Sequence, residues 1–354
     1  MSYLIELESG NYSFSAESHE SILDAAIRAG VPLNYGCSNG NCGLCKARVV
    51  SGETTLLRSH DFVIREAEKI QGDALMCSNA CRSDLVIDAD VAESAGEIPI
   101  QDLRVKVRKI ERISEDLAIV NMQVPRTVRL RFLAGQYMRV YDDQQRSHEF
   151  AIASCPCDEK RIEFHVRKLD DDAFSDMVFN QLSVGDWLNI HGPFGNFVID
   201  DTSDAPVVMI AFDTGFAAIK SLLEHITAQE KERAIYLYWL ACGKEGLYLD
   251  NLCRSWDDAL DEMHYLPLQM QENIDEILDS EYEGMCHIED KFTASLHHIE
   301  HIPHAEVYLV SPQPVANLVE QLLVAKQYDA SRIHHEVIRG NPNLRCIHPE
   351  SKND

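Results

Sequence analysis

The sequence predicts an α+β chain of three parts: a small mixed domain built around cysteines, an antiparallel β-barrel, and an α/β half with a parallel sheet. Three observations predict it. Cys37, Cys42, Cys45 and Cys77 gather near the N-terminus. Short alternating strands separated by turn residues run from Arg104 to Ile190. From Pro206 onward the order becomes apolar strand, helix, apolar strand. A chain of 354 residues accommodates two to three domains. We place the parts at 1–95, 98–203 and 204–340, with a polar tail at 341–354.

In the first part, Tyr3 to Leu7 and Tyr12 to Ser15 alternate like paired strands. Ser21 to Arg28 has helical spacing ended by Gly30, and Asp84 to Ile87 reads as a closing strand. Between them Cys37, Cys42 and Cys45 follow the spacing C-x4-C-x2-C, with Cys77 further on. That is the plant-type pattern for a [2Fe-2S] cluster, which moves one electron at a time. Thiolates converging on two irons from a short stretch need a tightly folded loop, and Gly36, Gly40 and Gly43 supply the permissive backbone. A zinc site would show two C-x2-C pairs, and only Cys42 and Cys45 form one. Cys81 reads as a neighbouring buried thiol. This part resembles a plant-type ferredoxin, a β-grasp domain.

A polar stretch from Glu93 to Glu97 reads as a linker. Beyond it, strands are expected at Arg104 to Ile110, Leu117 to Met122, Gln136 to Tyr141, Ile162 to Val166 and Trp187 to Ile190. In the last part, Val207 to Ile210 precedes a helix through His225. Strands at Ala234 to Leu240 and Glu306 to Val310 follow.

Taken in order, these parts resemble the iron–sulfur flavoprotein reductases, such as the reductase components of phenol hydroxylase, methane monooxygenase and aromatic-ring dioxygenases. Anchors of the resemblance are the runs Phe132 to Tyr137, Val184 to Asp186, Gly192 to Phe197 and Arg332 to Glu336. It implies FAD, NAD(P)H and a cluster that reduces an oxygenase or other acceptor. Several positions depart from the family. Where its flavin motif has Arg-x-Tyr-Ser-x-x-Ser, this chain has His148, Phe150, Ala151 and Ser154, with Arg146 two residues before the histidine. The flavin-phosphate turn reads Asp170, Asp171, Asp172, Ala173, Phe174, Ser175 instead of a glycine-rich loop. Like charges there oppose a pyrophosphate, unless they project into solvent and cap the next helix.

The family's Gly-Gly-Thr-Gly becomes Phe212, Asp213, Thr214, Gly215, and Asp213 is a good N-cap. Its Gly-Ala-Arg becomes Leu240, Ala241, Cys242, and its Cys-Gly-Pro becomes Val310, Ser311, Pro312. The sequence therefore argues against NAD(P)H and, less strongly, against FAD. His148, Phe150, Ala151, Ser154, Ser175, Thr214 and Gly215 mark the altered positions.

A net charge of −26 disfavours nucleic acid and anionic membrane surfaces and favours a protein partner with a basic docking face. No basic cluster stands out. No apolar run reaches a membrane span, and the N-terminus lacks a secretory pattern. Eleven cysteines then fit a reducing compartment, and cytoplasm is expected. Cys155-Pro156-Cys157 is expected as two unpaired thiols, because the intervening proline opposes a strainless disulfide. His297, His298, His301 and His304 are expected on the surface, and Tyr236, Tyr238 and Trp239 within a strand.

The expected function is a single-electron carrier fed by an upstream reductase and emptied by an acceptor such as an oxygenase, with the rest of the chain as a docking body. Two alternatives stand: a working NAD(P)H-dependent FAD/[2Fe-2S] reductase, and an interaction or assembly protein whose cluster is structural or sensory.

Overall fold

Alternating apolar residues pair Ser2–Leu7 with Ser13–Glu17 antiparallel, with Ile5 opposite Phe14 and both buried. The computed structural model describes residues 2–10, 12–35, 40, 43–91, 98–125, 130–142, 144, 146–158, 160–168, 172–201, 203–229, 233–242, 246–270 and 283–338. Cys37, Cys42, Asp170, Asp171, the linker at 93–97 and the tail at 341–354 lie outside them.

The first sheet runs Ser13–Glu17, Ser2–Leu7, Leu85–Asp88, Lys46–Ser51, Asp73–Leu75. Leu85–Asp88 closes it parallel to Ser2–Leu7. Across its face lies the helix Ile22–Arg28, whose first turn is capped by Ser21 Oγ accepting the Asp24 N–H at 3.1 Å. Its Ile22, Leu23, Ala25 and Ala26 are buried.

A second sheet of six antiparallel strands follows: Ser147–Ala151, Tyr137–Tyr141, Trp187–Phe194, Gln101–Arg112, Leu117–Gln123, Arg161–Arg167. Its two ends meet where the Ala153 N–H donates to Glu163 O at 2.8 Å, so the sheet is nearly a closed barrel. Val105, Val107, Met138, Val140 and Phe164 fill it.

The third sheet is wholly parallel: Met263–Met270, Ile235–Cys242, Val207–Phe212, Glu306–Val310, Ile333–Glu336. Every residue of its central strand Val207–Phe212 is buried, as covered parallel sheets require. The chain leaves that strand to one side and returns on the other. Asp213 to Gly215 thus sit at the crevice where open α/β sheets bind ligands. The outer strands Met263–Met270 and Ile333–Glu336 were not foreseen. Among the described residues, no helix is long and apolar enough to cross a membrane.

Candidate functional site

Cys45 and Cys77 come together inside the first domain. Both are buried, and the Met76 N–H donates to Cys45 O at 3.0 Å, tying the two cysteine segments side by side. The Cys77 thiol is held down to about 6, first by hydrogen bonding with Cys45, against burial, and then by Ser78 and the Gly40 backbone. A thiol held so readily as thiolate is a good iron ligand. Gly40 has φ +86°, and a Cβ there would lie 2.3 Å from the His60 side chain. Gly43 has φ +77°, with the Phe62 ring 2.2 Å from an added Cβ. Both positions need glycine for conformation and for space. The donor chemistry at Cys45 and Cys77 fits a [2Fe-2S] cluster. Cys81 is a different case: it is a free, buried thiol pushed up to about 11 by burial and by Glu20 and Asp84.

At the flavin-phosphate position, His148, Asp172 and Ser175 have internal partners. His148 Nε2 lies 2.7 Å from Asp172 Oδ1, and Asp172 Oδ2 accepts the Ser175 N–H at 2.6 Å, capping the helix Ala173–Asn180. Burial opposes the Asp172 charge, but the Ser175 N–H and His148 outweigh it and hold the carboxyl below its ordinary range. The helix end that would greet a phosphate already holds a carboxylate. Arg146 turns to Asp142, and Arg139 to Glu149. Phe150 packs in the barrel core against Phe164 and Phe174. Ser154 Oγ donates to Arg161 O at 3.1 Å, and Ser175 Oγ donates to Asp172 O at 3.1 Å.

At the crevice, Asp213 also has an internal partner. Asp213 is not the helix cap expected of it. It sits at φ +48°, and its carboxylate takes a bidentate ion pair from Arg167, at 2.6 and 3.0 Å. A guanidinium fork matches a carboxylate better than a helix end does, and Arg167 is aimed there by strand alternation. Arg167 also reaches Asp116. Burial opposes the guanidinium charge, and the two aspartates outweigh it, raising its pKa.

Behind this pair Phe216 stacks on Trp239 at 3.8 Å, with Tyr248 edge-on to Trp239. Phe212, Tyr238 and Trp239 are wholly buried. Thr214 and Gly215 line a cavity of about 10 Å³ with Tyr137, Ala151 and His165. That is room for roughly one water. A Cβ at Gly215 would meet Val310 O at 2.7 Å, so this glycine serves close helix–strand packing.

A buried polar network between barrel and α/β half escaped the sequence reading. Tyr248 Oη lies 2.7 Å from His165 Nδ1, and His165 Nε2 lies 3.2 Å from Glu163. Glu163 pairs with Lys220, and Lys220 pairs with Glu224 at 2.7 Å. Burial lowers the His165 pKa, so its ring is neutral. Burial also opposes the Glu163 charge, but His165 and Lys220 bring its carboxyl down to about 2. One signal was available: Arg161, Glu163, His165 and Arg167 alternate with the apolar Ile162, Phe164 and Val166.

Cys155 and Cys157 are disulfide-bonded, contrary to the unpaired thiols expected. The turn in which the Asp158 N–H donates to Cys155 O brings their Cα atoms to 5.1 Å, within a disulfide's span. His297, His298, His301 and His304 are exposed, and no metal-holding cluster exists among the described residues.

Comparison with known proteins matches residues 5–84 to a 2Fe-2S iron-sulfur cluster binding domain and 104–199 to an oxidoreductase FAD-binding domain. The CDP-6-deoxy-L-threo-D-glycero-4-hexulose-3-dehydrase reductase of Yersinia pestis is 31% identical over 268 residues, covering 76% of this chain and 80% of that protein. The phenol hydroxylase P5 protein of Acinetobacter pittii is 30% identical over 75% of this chain and 76% of its own length. The propane 2-monooxygenase reductase component of Mycolicibacterium smegmatis is 28% identical over 95% and 97%. In fold, a cytochrome P450 reductase from Amycolatopsis superposes with a TM-score of 0.57 at 22% identity, covering 95% of this chain and 98% of that one.

Proposed function

The chain belongs to the iron–sulfur flavoprotein reductases, which join a [2Fe-2S] ferredoxin domain to an oxidoreductase FAD-binding domain, and on that premise we propose that it works as a single-electron carrier with a closed nucleotide crevice. The observation that carries this reading is the Arg167–Asp213 ion pair, set beside a cavity of about 10 Å³ at Thr214 and Gly215. A nicotinamide or flavin ring entering there would have to break a buried bidentate pair. Any phosphate would meet the Asp213 and Asp172 carboxylates, the first paired with Arg167 and the second held against His148.

Cys45 and Cys77, with Cys37 and Cys42, are the proposed ligands. When bound, a [2Fe-2S] cluster supplies one-electron transfer. This chain's residues position the thiolates, and its barrel and α/β half serve as the docking body. Electrons would come from a separate reductase and pass to a protein acceptor. An oxygenase acceptor rests on the relatives, two of which are named for phenol hydroxylase and propane 2-monooxygenase.

A second reading, a working NAD(P)H-dependent flavin reductase, is favoured by the FAD-binding domain match over 104–199. Anaerobic purification with extraction of flavin separates the two. The carrier reading expects a cluster spectrum, flavin well below one per chain, and no bleaching by NADH. Stoichiometric FAD with NADH-driven bleaching would sink it.

A further inference from the structure

We propose that Cys155 and Cys157 are a thiol–disulfide exchange site whose redox state is passed to the iron–sulfur half through Pro156. The bond is a poor staple. It closes a loop across one residue, where the chain-entropy gain is near its minimum. Other bonds already hold the turn. The Cys155 N–H donates to Glu224 Oε2 at 3.0 Å, Ser221 Oγ donates to Ser154 O at 2.8 Å, and the Asp158 N–H donates to Cys155 O at 3.1 Å. Cys81, Cys253 and Cys286 form no disulfide among the described residues, so this pair stands apart from them.

The two sulfurs differ in access, which sets the direction of attack. Cys155 is 4% exposed, whereas Cys157 is only partly buried. A thiolate from outside reaches Cys157 Sγ first and forms a mixed disulfide there. The electron pair of the broken S–S bond leaves on Cys155 Sγ, 3.1 Å from the Cys157 N–H, a donor placed to stabilise the departing thiolate. A second external thiolate then attacks the donor's own sulfur in the mixed disulfide and frees Cys157. Two external thiols become one disulfide, the pair gains two electrons, and the two protons released by the donors end on Cys155 and Cys157.

Pro156 couples this turn to the first domain. It lines a cavity of about 40 Å³ shared with Gly30, Pro32 and Tyr35 of the iron–sulfur half and Arg131 of the barrel. The Arg131 guanidinium lies 5.0 Å from the Tyr35 ring centroid, and Tyr35 directly precedes the cysteine loop. Oxidation pins Pro156 against this joint, and reduction releases it.

The test equilibrates the purified full-length protein under argon across a series of reduced-to-oxidised glutathione ratios. Thiols are trapped by alkylation and peptides are weighed, while hydrogen exchange is followed over residues 27–35. The expected result is that the 155–157 peptide gains two alkyl groups within the series, and that exchange over 27–35 rises about threefold on reduction. Free thiols at every ratio, or a bond that resists every ratio, would overturn the exchange site. Unchanged protection of 27–35 would overturn the coupling. A Cys155→Ser/Cys157→Ser double variant should reproduce the reduced exchange pattern, and matching the oxidised protein instead would also defeat the coupling.

Discussion

Asp213 ends the central parallel strand with a carboxylate, and only a cation can make that position tolerable once it is buried. Arg167 is that cation, so the pair answers a burial problem. Replacing Asp213 with Asn leaves the guanidinium largely buried with only the half-exposed Asp116. The expected loss is on the order of 3 kcal/mol, read from urea unfolding. A loss under about 0.5 kcal/mol would mean that the pair is incidental. The cysteines permit a second test. Cys77→Ser should abolish the visible iron–sulfur absorption and Cys81→Ser should keep it, and loss of colour in both would undo the ligand assignment. At this scale spacing singled out Cys45 and Cys77 as candidates, and the fold sets their segments side by side. The sequence was unreadable where a partner lay far along the chain. Nothing local to Asp213 announces a bond to a residue 46 positions away.

Among elements, the helix Ala173–Asn180 and the strand Arg161–Arg167 carry the next two predictions. Asp172 both caps that helix and sets a negative charge at its mouth. Asn caps about as well as Asp, so Asp172→Asn should keep the helix cap, lose the charge contact with His148, and ease the exclusion of a phosphate. FAD affinity by fluorescence titration should tighten at least tenfold, about 1.4 kcal/mol. Equal affinity in the two proteins would show that charge is not what keeps flavin out.

The strand supplies a pH dependence. His165 is neutral in the fold with its pKa lowered, whereas in the unfolded chain it takes a proton below about pH 6.5. Stability therefore falls as pH drops through that value. Glu163, at about 2 when folded against about 4.3 unfolded, adds stability that is full above the higher value and lost as pH falls towards the lower. His165→Gln should remove the first decline, between pH 7.5 and 5.5, and shrink the second, since Lys220 alone then holds Glu163 down. Parallel curves of urea midpoint against pH for the two proteins would contradict this. Strands with plain alternation, such as Ser13–Glu17, were legible. Met263–Met270 and Ile333–Glu336 were not, because edge strands of a parallel sheet carry polar residues that blur the period.

Over the whole molecule, a charge of −26 sets a field that local patches modify. The exposed Arg104 and Arg108 and the half-buried Lys106 lie along the strand Gln101–Arg112, and two of them stack over the half-exposed Trp187. The absence of a basic cluster noted in the sequence is thus qualified by folding, which aligns what alternation had separated. Two docking modes follow, and they predict opposite responses. If partners approach the acidic bulk, electron delivery to a basic one-electron acceptor such as cytochrome c should slow as salt rises. Fields reaching about 30 Å at 0.01 M are cut to about 8 Å at 0.15 M. Reversing Arg104 and Lys106 to Glu should then leave that rate unchanged or slightly faster. If the basic strand is the docking face, the same reversal should abolish delivery to an acidic acceptor. The net charge makes the first mode the expected one. Stopped-flow oxidation of the reduced protein at four salt concentrations decides it, and a rate that climbs with salt would exclude docking through the acidic surface.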